Sequence, residues 1–418
     1  MILTGADIVL RDRVLRGGSL VIAGDRIAAI EPAARVRRAD AIDVTGRIIA
    51  AGLIDVHVHG AAGHDVLGGA GSVARVAEAL PRWGVTAFSP TSIACAPDPL
   101  SVLLTEVAAL RAEGTRAAAS ARVLPAHLES NFINPDYRGA QPLPCLRTAR
   151  VDDVDRDGDR NADRDTDRNG DGRRDRRPSP NGTEFSARDI LRVIDRHRAD
   201  ISAISMAPEI DGGFDLLRAF VAGGIAVSLG HSAATFDEAN HAIAAGASRA
   251  THLFNRMPPL HHREPGLAGA ILASDSVTAE IICDAVHVHP AMVRSAIAAK
   301  KPERIMAITD GTAGSGLPAG TRSRLGSHTL TVGDVARLED GTIAGSVATM
   351  DQVLRMLVTE ARIDLVQAVE ICSTTPAKTL RLHDQGELLP GRLADFVVLT
   401  QDLAVLETWI GGQRVYSG

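Results

Sequence analysis

Eight short apolar runs, each ending in polar residues, occupy residues 53 to 310 of this 418-residue chain. They are "LIDVHVH", "VTAFSPTS", "RVLPAHLE", "ISAISMAP", "IAVSLGHS", "ATHLFN", "TAEIICD" and "RIMAITD". Runs of this kind suit strands buried on both faces. Most are followed by Ala-rich helix-like sequence such as "ATFDEANHAIAAG", which supplies the crossovers that parallel strands require. Eight successive βα units fit a closed barrel better than an open sheet. Aromatic residues make up only 3% of the chain, so the core must be packed mainly with Ala, Val, Ile and Leu.

The ends of the chain have a different texture. "ADIVL", "SLVIAGDRIAAIE" and "AIDVTGRIIA" near the start, and "GRLADFVVLT", "LAVLETWI" and "GQRVYSG" at the finish, are short strand-like segments punctuated by Gly and Asp. The expected fold class is therefore α/β: a (β/α)8 TIM-like barrel with a small β-sandwich domain built from both termini. Residues 1–52 would form the first part of the small domain and 53–360 the barrel. Residues 361–418 would add the last helix and the second part of the small domain.

Residues 152–177, "DDVDRDGDRNADRDTDRNGDGRRDRR", interrupt the barrel rhythm and have no large apolar residue beyond Val154, so they cannot contribute to a core. Two twelve-residue copies, from 153 and from 165, each open D-x-D-x-[DN]-G like a calcium loop. Each carries Arg164 or Arg176 at the twelfth position, where such a loop needs a bidentate carboxylate. A solvated charged insertion is expected rather than an ordered calcium site. "SARD" at 186–189 then resembles a capping box that opens the interrupted helix.

A net charge of -6 argues against a nucleic-acid partner. Cys95, Cys145, Cys283 and Cys372 form no CxxC pair and are expected to be free thiols in a reducing, cytoplasmic setting. Neither a leader sequence nor a membrane span is indicated.

In a barrel the C-terminal ends of the strands share one rim, so the polar residues that end different runs become neighbours. Here they are His57 and His59, Glu129, His231, His252 and Asp310. His57 and His59, two apart, point to one side of a strand. Imidazoles and carboxylates together suit zinc or another borderline divalent ion. With one coordination position open, such an ion acidifies water and polarises a carbonyl. A neighbouring aspartate can shuttle the proton from water to a leaving amine. The set points to metal-assisted amide hydrolysis, with Asp310 as the catalytic residue. His127 shares Glu129's inward face and is expected to support the ligands. His64, His241, His261, His289 and His383 are read as ordinary histidines.

Several stretches are more specific: "GLIDVHVHG", "HLESNFINPDYRGAQ", "LGHSAATFDEANHAIAAGASRATHLFNRMPPLHHREPG", "DAVHVHP", "AITDG" and "AGSVATMDQ". Through them the chain resembles the N-acetylglucosamine-6-phosphate deacetylases of the amidohydrolase superfamily over nearly its whole length, the Asp/Arg insertion excepted. The resemblance implies that Glu129, His231 and His252 hold one metal ion, while His57 and His59 hold a second one bridged by Glu129 and Asp310. Members without the HxH pair work with one ion, so one or two remain open, with zinc first and iron or another divalent ion as alternatives. It also implies that Asn255, His262, Arg263 and His287 grip a sugar phosphate, that Gln141 binds substrate as a hydrogen-bond donor without positive charge at the position where a His would help polarise the amide carbonyl, and that the protein is a homodimer. Two departures stand out. The family usually has Glu-Gly-Pro where this chain has "ESN" at 129–131, and many members have His where this chain has Gln141.

The implied reaction is hydrolysis of N-acetylglucosamine 6-phosphate to glucosamine 6-phosphate and acetate. A related activity on another N-acyl amino sugar, such as N-acetylgalactosamine 6-phosphate, is the enzymatic alternative. A non-catalytic calcium-responsive binding protein is the alternative of a different class.

Overall fold

The computed structural model describes residues 1–32, 41–114, 120–150 and 185–418; the Asp/Arg repeat and its calcium-loop reading lie outside them. Eight parallel strands form the barrel. In order they are Leu53–Val58, Val85–Ser92, Ala126–Glu129, Ile201–Met206, Ala226–Leu229, Arg249–Ala250, Thr278–Ile282 and Ile305–Ile308. Each of the eight apolar runs supplies one. The third run is split, because Arg122–Val123 also pairs with the second strand before Pro125 interrupts the ladder. Proline has no N–H to donate there.

Neighbouring strands are parallel from first to last, with Ile54 opposite Ala87, Leu128 opposite Ile204, Ser228 opposite Arg249 and Ile281 opposite Ala307. Between the eighth strand and the first, the ring closes through a Val58–Gly311 bridge. The buried Asp55 carboxylate adds to the closure by accepting from the Thr309 hydroxyl at 2.6 Å. Helices follow the strands as expected. The one at Phe236–Ala244 opens with a Thr235/Glu238 capping box, and the one at Ala187–Arg196 with the anticipated Ser186/Asp189 pair. The core is aliphatic, with Phe88, Phe132 and Phe396 its largest fully buried side chains.

The two termini build one sheet. Its path runs Gln413–Ser417, Val405–Ile410, Phe396–Leu399, Ile48–Ala51, Ile2–Val9, Val14–Ala23 and Arg26–Glu31, with the short Ile42–Asp43 on the side of Ile2–Val9. The seam between chain ends is antiparallel, Phe396 opposite Ala51 and Leu399 opposite Ile48. The far edge returns to the same sheet, where Arg26 bridges Leu393. A second, smaller sheet of Arg322–Leu325, His328–Val332 and Ala336–Leu338 is inserted after the eighth barrel strand and was not anticipated from the sequence. Its buried Leu325, Leu330 and Val332 pack on Ile93 at the active rim. All four cysteines are buried and unbonded, and no helix among the described residues is long and apolar enough to cross a membrane.

Terminal sheet and barrel are fastened by Arg122, whose Nε and Nη2 donate to the two oxygens of Asp395 at 2.9 and 3.0 Å; Asp395 is only 5% exposed. Removing one member of such a pair strands a buried charge. Arg122→Ala is expected to destabilise the protein by on the order of 3 kcal/mol, and Arg122→Lys by less, since an ammonium cannot engage both oxygens in plane. Denaturant unfolding of the three proteins checks this; a loss below about 1 kcal/mol for Arg122→Ala would show that the pair does not hold the two parts together.

Candidate metal centre and its cavity

Six side chains meet at the C-terminal rim. His57 lies within the first strand and His59 just past it, while Glu129 is the last residue of the third. His231, His252 and Asp310 each stand two residues beyond their strands, and all three are left-handed, with φ of 48°, 30° and 52°. Each costs roughly 1 kcal/mol or more in a residue other than glycine, and persists because the surrounding structure imposes it. The turn swings each side chain inward. All six are buried, none more than 7% exposed.

The far nitrogens of three rings are occupied by groups that only accept. His57 Nδ1 donates to Glu280 Oε2 at 2.9 Å, His59 Nδ1 to the Thr91 carbonyl at 2.9 Å, and His231 Nδ1 to the Tyr137 carbonyl at 2.8 Å. Each neutral ring must therefore present a lone pair at Nε2. Those of His57 and His59 converge, with Nε2 atoms 3.2 Å apart, and the His231 Nε2 is 3.0 Å from the Nε2 of His252, whose Nδ1 has no partner among the described residues. Glu129 Oε1 is 2.9 Å from both His231 and His252, while its Oε2 faces His59 at 3.6 Å. Asp310 Oδ1 is 3.1 Å from His59 and 3.3 Å from His57. Two overlapping groups thus have the donor set of a divalent-metal site, His57/His59/Glu129 and Glu129/His231/His252, with Glu129 in both.

The electrostatics agree. Burial pushes the Glu129 carboxyl up, but the His231 and His252 rings outweigh it and hold the group well below the usual carboxylate range. Burial likewise raises Asp310, yet its hydrogen bond from His59 and the charges of His57 and His59 bring it below its ordinary value. Burial lowers His59, and Asp310 and Glu129 reverse this and raise it to about 9. The carboxylates are thus held ionised, and they in turn favour the charged forms of His59 and His252.

Above the cluster opens a cavity of about 380 Å³ whose lining includes His59, Glu129, His231, His252, Asp310, Gln141, Asn255 and His287. Of the residues expected to contact substrate, Gln141, Asn255 and His287 are therefore brought to it. His262 and Arg263 are exposed and do not line it. His287 is held by Asp284 at 2.6 Å, and Asn255 Nδ2 is buried without a partner among the described residues. Gln141 takes the Ala94 N–H on Oε1 at 2.7 Å, so its amide points Nε2 at Glu129, to which it donates. The "ESN" departure is also accounted for: Asn131 Nδ2 donates to the carbonyls of Cys95 and Cys145 at 2.8 and 2.7 Å, replacing a rigid turn by two buried hydrogen bonds.

Three contributors escaped the sequence reading. Glu280 sits in the seventh strand behind His57, with His127 Nδ1 3.5 Å from its other oxygen. Asp55 closes the barrel beneath the same histidines. Arg256 lines the cavity four residues past His252. A carboxylate in the middle of an apolar run is itself a signal, since such residues are almost never fully buried unless paired. His127, expected behind the ligands, donates or accepts at Ser205 Oγ at 2.8 Å and stacks edgewise on His57 at 4.7 Å between ring centroids.

Fold and donor set together define a metal-dependent hydrolase barrel. The sequence matches the model of the amidohydrolase family over residues 48–415. It is 31% identical to an N-acetylgalactosamine-6-phosphate deacetylase of Escherichia coli O157:H7 over 399 residues, 94% of this chain and 93% of that one. It is 33% identical to the human N-acetylglucosamine-6-phosphate deacetylase over 426 residues, 97% of this chain and 94% of that one. Among solved structures, a mutant of the Mycobacterium smegmatis N-acetyl-D-glucosamine-6-phosphate deacetylase in complex with N-acetyl-D-glucosamine-6-phosphate matches with a TM-score of 0.83 and 30% identity, covering 100% of this chain and 99% of that one. This chain belongs to the amidohydrolase family, and its relatives place it with the amino-sugar 6-phosphate deacetylases.

Glu280 offers a direct check on the centre. Partners behind a ligating histidine fix its orientation and basicity, and their loss typically costs 10–100-fold in metal affinity. Glu280→Gln is expected to weaken zinc binding by about 10–100-fold in competition with a chromogenic chelator. Unchanged affinity would show that the lone pair of His57 is not used.

Proposed function

We propose that this protein hydrolyses the N-acetyl amide of N-acetylglucosamine 6-phosphate, giving glucosamine 6-phosphate and acetate. The observation that carries the reading is the convergence of His57, His59, His231, His252, Glu129 and Asp310 at the floor of a cavity that also presents Gln141, Asn255 and His287. Glu129, His231 and His252 would hold one divalent ion, and His57 and His59 a second bridged by Glu129 and Asp310. Zinc suits the imidazole and carboxylate donors first, with iron as the alternative. When bound, such an ion supplies Lewis acidity that polarises the amide carbonyl and makes water a better nucleophile.

The protein's own groups then do the following. Asp310 is ionised, and its Oδ1 is engaged with His57 and His59, which leaves Oδ2 to take a proton. Gly345 lies over it, with φ of 76°; a Cβ there would come within 3.7 Å of Oδ2 and 2.9 Å of the Asp310 carbonyl. Asp310 accepts the proton of the attacking water as the new C–O bond forms. It then delivers that proton to the amide nitrogen as the C–N bond breaks, so that the amine and acetate leave. Gln141, fixed by Ala94 and Glu129, keeps one amide hydrogen for the carbonyl oxygen. Asn255 and His287 hold the phosphate end. A cytoplasmic homodimer belongs to the same reading.

The second reading, N-acetylgalactosamine 6-phosphate as substrate, is favoured by the 31% identity to the E. coli enzyme of that name. Acetate release from both epimers, with and without the 6-phosphate, decides between them. Turnover is expected to stop on chelation and return with zinc. Asp310→Asn is expected to remain folded and to lose at least roughly 10² in kcat. No acetate from either sugar phosphate would overturn the proposal; a variant within a few-fold of wild type would remove Asp310 from its role.

A further inference from the structure

The cavity has two chemically distinct ends. Its floor is the buried cluster of imidazoles and carboxylates; towards solvent stand half-buried Asn255 and His287 and exposed Arg256. Among the described residues that line the cavity, Arg256 is the only arginine or lysine. Its guanidinium makes no hydrogen bond or ion pair with a described residue. The chain reaches it through a strained turn in which His252, Phe254 and Arg256 have φ of 30°, 78° and 52°. Strain of that kind survives where the surroundings enforce a side-chain direction.

Opposite, the loop leading to Gln141 makes room. Gly139, with φ of 59°, faces the guanidinium: a Cβ there would fall 2.6 Å from Arg256 Nε and 3.1 Å from its Cζ. Adjacent in sequence, Asn255 contributes a buried Nδ2 with no partner among the described residues. An uncommitted planar cation and an uncommitted amide donor, on consecutive residues that both line the cavity above a cluster of imidazoles and carboxylates, are suited to an anion at the far end of a ligand whose reacting end lies on the floor. Guanidinium matches a phosphate with parallel donors, and the amide adds a neutral one.

Resting on the deacetylase reading above, we propose that Arg256 is a specificity-determining residue of this chain, gripping the substrate's 6-phosphate together with Asn255. Arg263, although it belongs to the more recognisable sequence motif, is exposed outside the cavity lining. Arg256 is the cation the cavity itself provides.

The test compares wild type, Arg256→Gln, Arg256→Lys and Arg263→Ala. For each, kcat/KM is measured on N-acetylglucosamine 6-phosphate and on N-acetylglucosamine, and affinity for glucosamine 6-phosphate and for glucosamine by calorimetry. A charge-assisted contact near solvent is worth about 10–100-fold. Arg256→Gln is expected to lower the ratio of kcat/KM for the phosphorylated over the plain sugar by about that factor, mainly through KM, and to lower glucosamine 6-phosphate affinity in parallel. Arg256→Lys should recover part of both. Equal losses on the two sugars would make Arg256 a brace for the Gly139 loop and overturn the proposal. So would an unchanged ratio, including one that falls only in Arg263→Ala. Wild type inactive on both sugar phosphates would instead bring down the deacetylase reading, and this proposal with it.

Discussion

Three imidazoles in this protein have no choice of tautomer. Glu280, the Thr91 carbonyl and the Tyr137 carbonyl can only accept, so His57, His59 and His231 spend their Nδ1 hydrogens outward and turn their Nε2 lone pairs to one centre. The His57 and His59 lone pairs, facing each other at 3.2 Å beside two buried carboxylates, repel unless something positive lies among them. Protons can serve, which is why His59 is raised to about 9. A divalent cation serves better because it satisfies all the donors at once. The rest of the architecture keeps those donors from moving apart.

That demand explains features that would otherwise be liabilities. His231, His252 and Asp310 adopt backbone conformations that cost stability, and Asp55 is buried so deeply that its carboxyl is pushed up to about 7. A barrel can sustain this because the six inner strands are paired on both sides, and the first and eighth are joined at the very point where the histidines begin, through the Val58–Gly311 bridge and the Asp55–Thr309 contact. The terminal sheet adds a second constraint from below through Arg122 and Asp395. Rigid strands carry the cluster, and the loops above it are free to differ.

How much of this the sequence disclosed follows the same division. Strand ends are legible because buried parallel strands are apolar runs, and a polar residue at each end stands out; His57, Glu129, His231, His252 and Asp310 could be singled out in that way. The seam between the termini was legible from matching strand texture. Glu280 and Asp55 lie inside the runs, where an acid signals that a buried partner exists but its spacing does not say which residue across the barrel that partner is. The sheet from Arg322 to Leu338 was hidden by its short alternating strands, "RSRL" and "HTLTV", set within a region otherwise reading as βα units. Loop direction was least legible. The motif around His262 and Arg263 attracts attention by its basic residues, whereas the left-handed turn through Phe254 and Arg256, which brings Arg256 to the cavity lining, has no signature in the sequence.

The departures from the family pattern show where chemistry can shift without moving the cluster. Asn131 spends both amide hydrogens on buried carbonyls, so the turn after Glu129 is held by side-chain bonds instead of by a proline ring, and Glu129 still reaches His231 and His252 at 2.9 Å. Gln141 is different in kind. Its orientation is set by Ala94, and one of its donors is already committed to Glu129. A neutral amide with one hydrogen left can orient a carbonyl but cannot contribute positive charge to it. On the proposed mechanism, the polarisation that a histidine could share in other members would be supplied here by a divalent ion, which Glu129, His231 and His252 would hold. Substitution at position 141 should then alter the alignment of the acyl group more than the acidity of the centre.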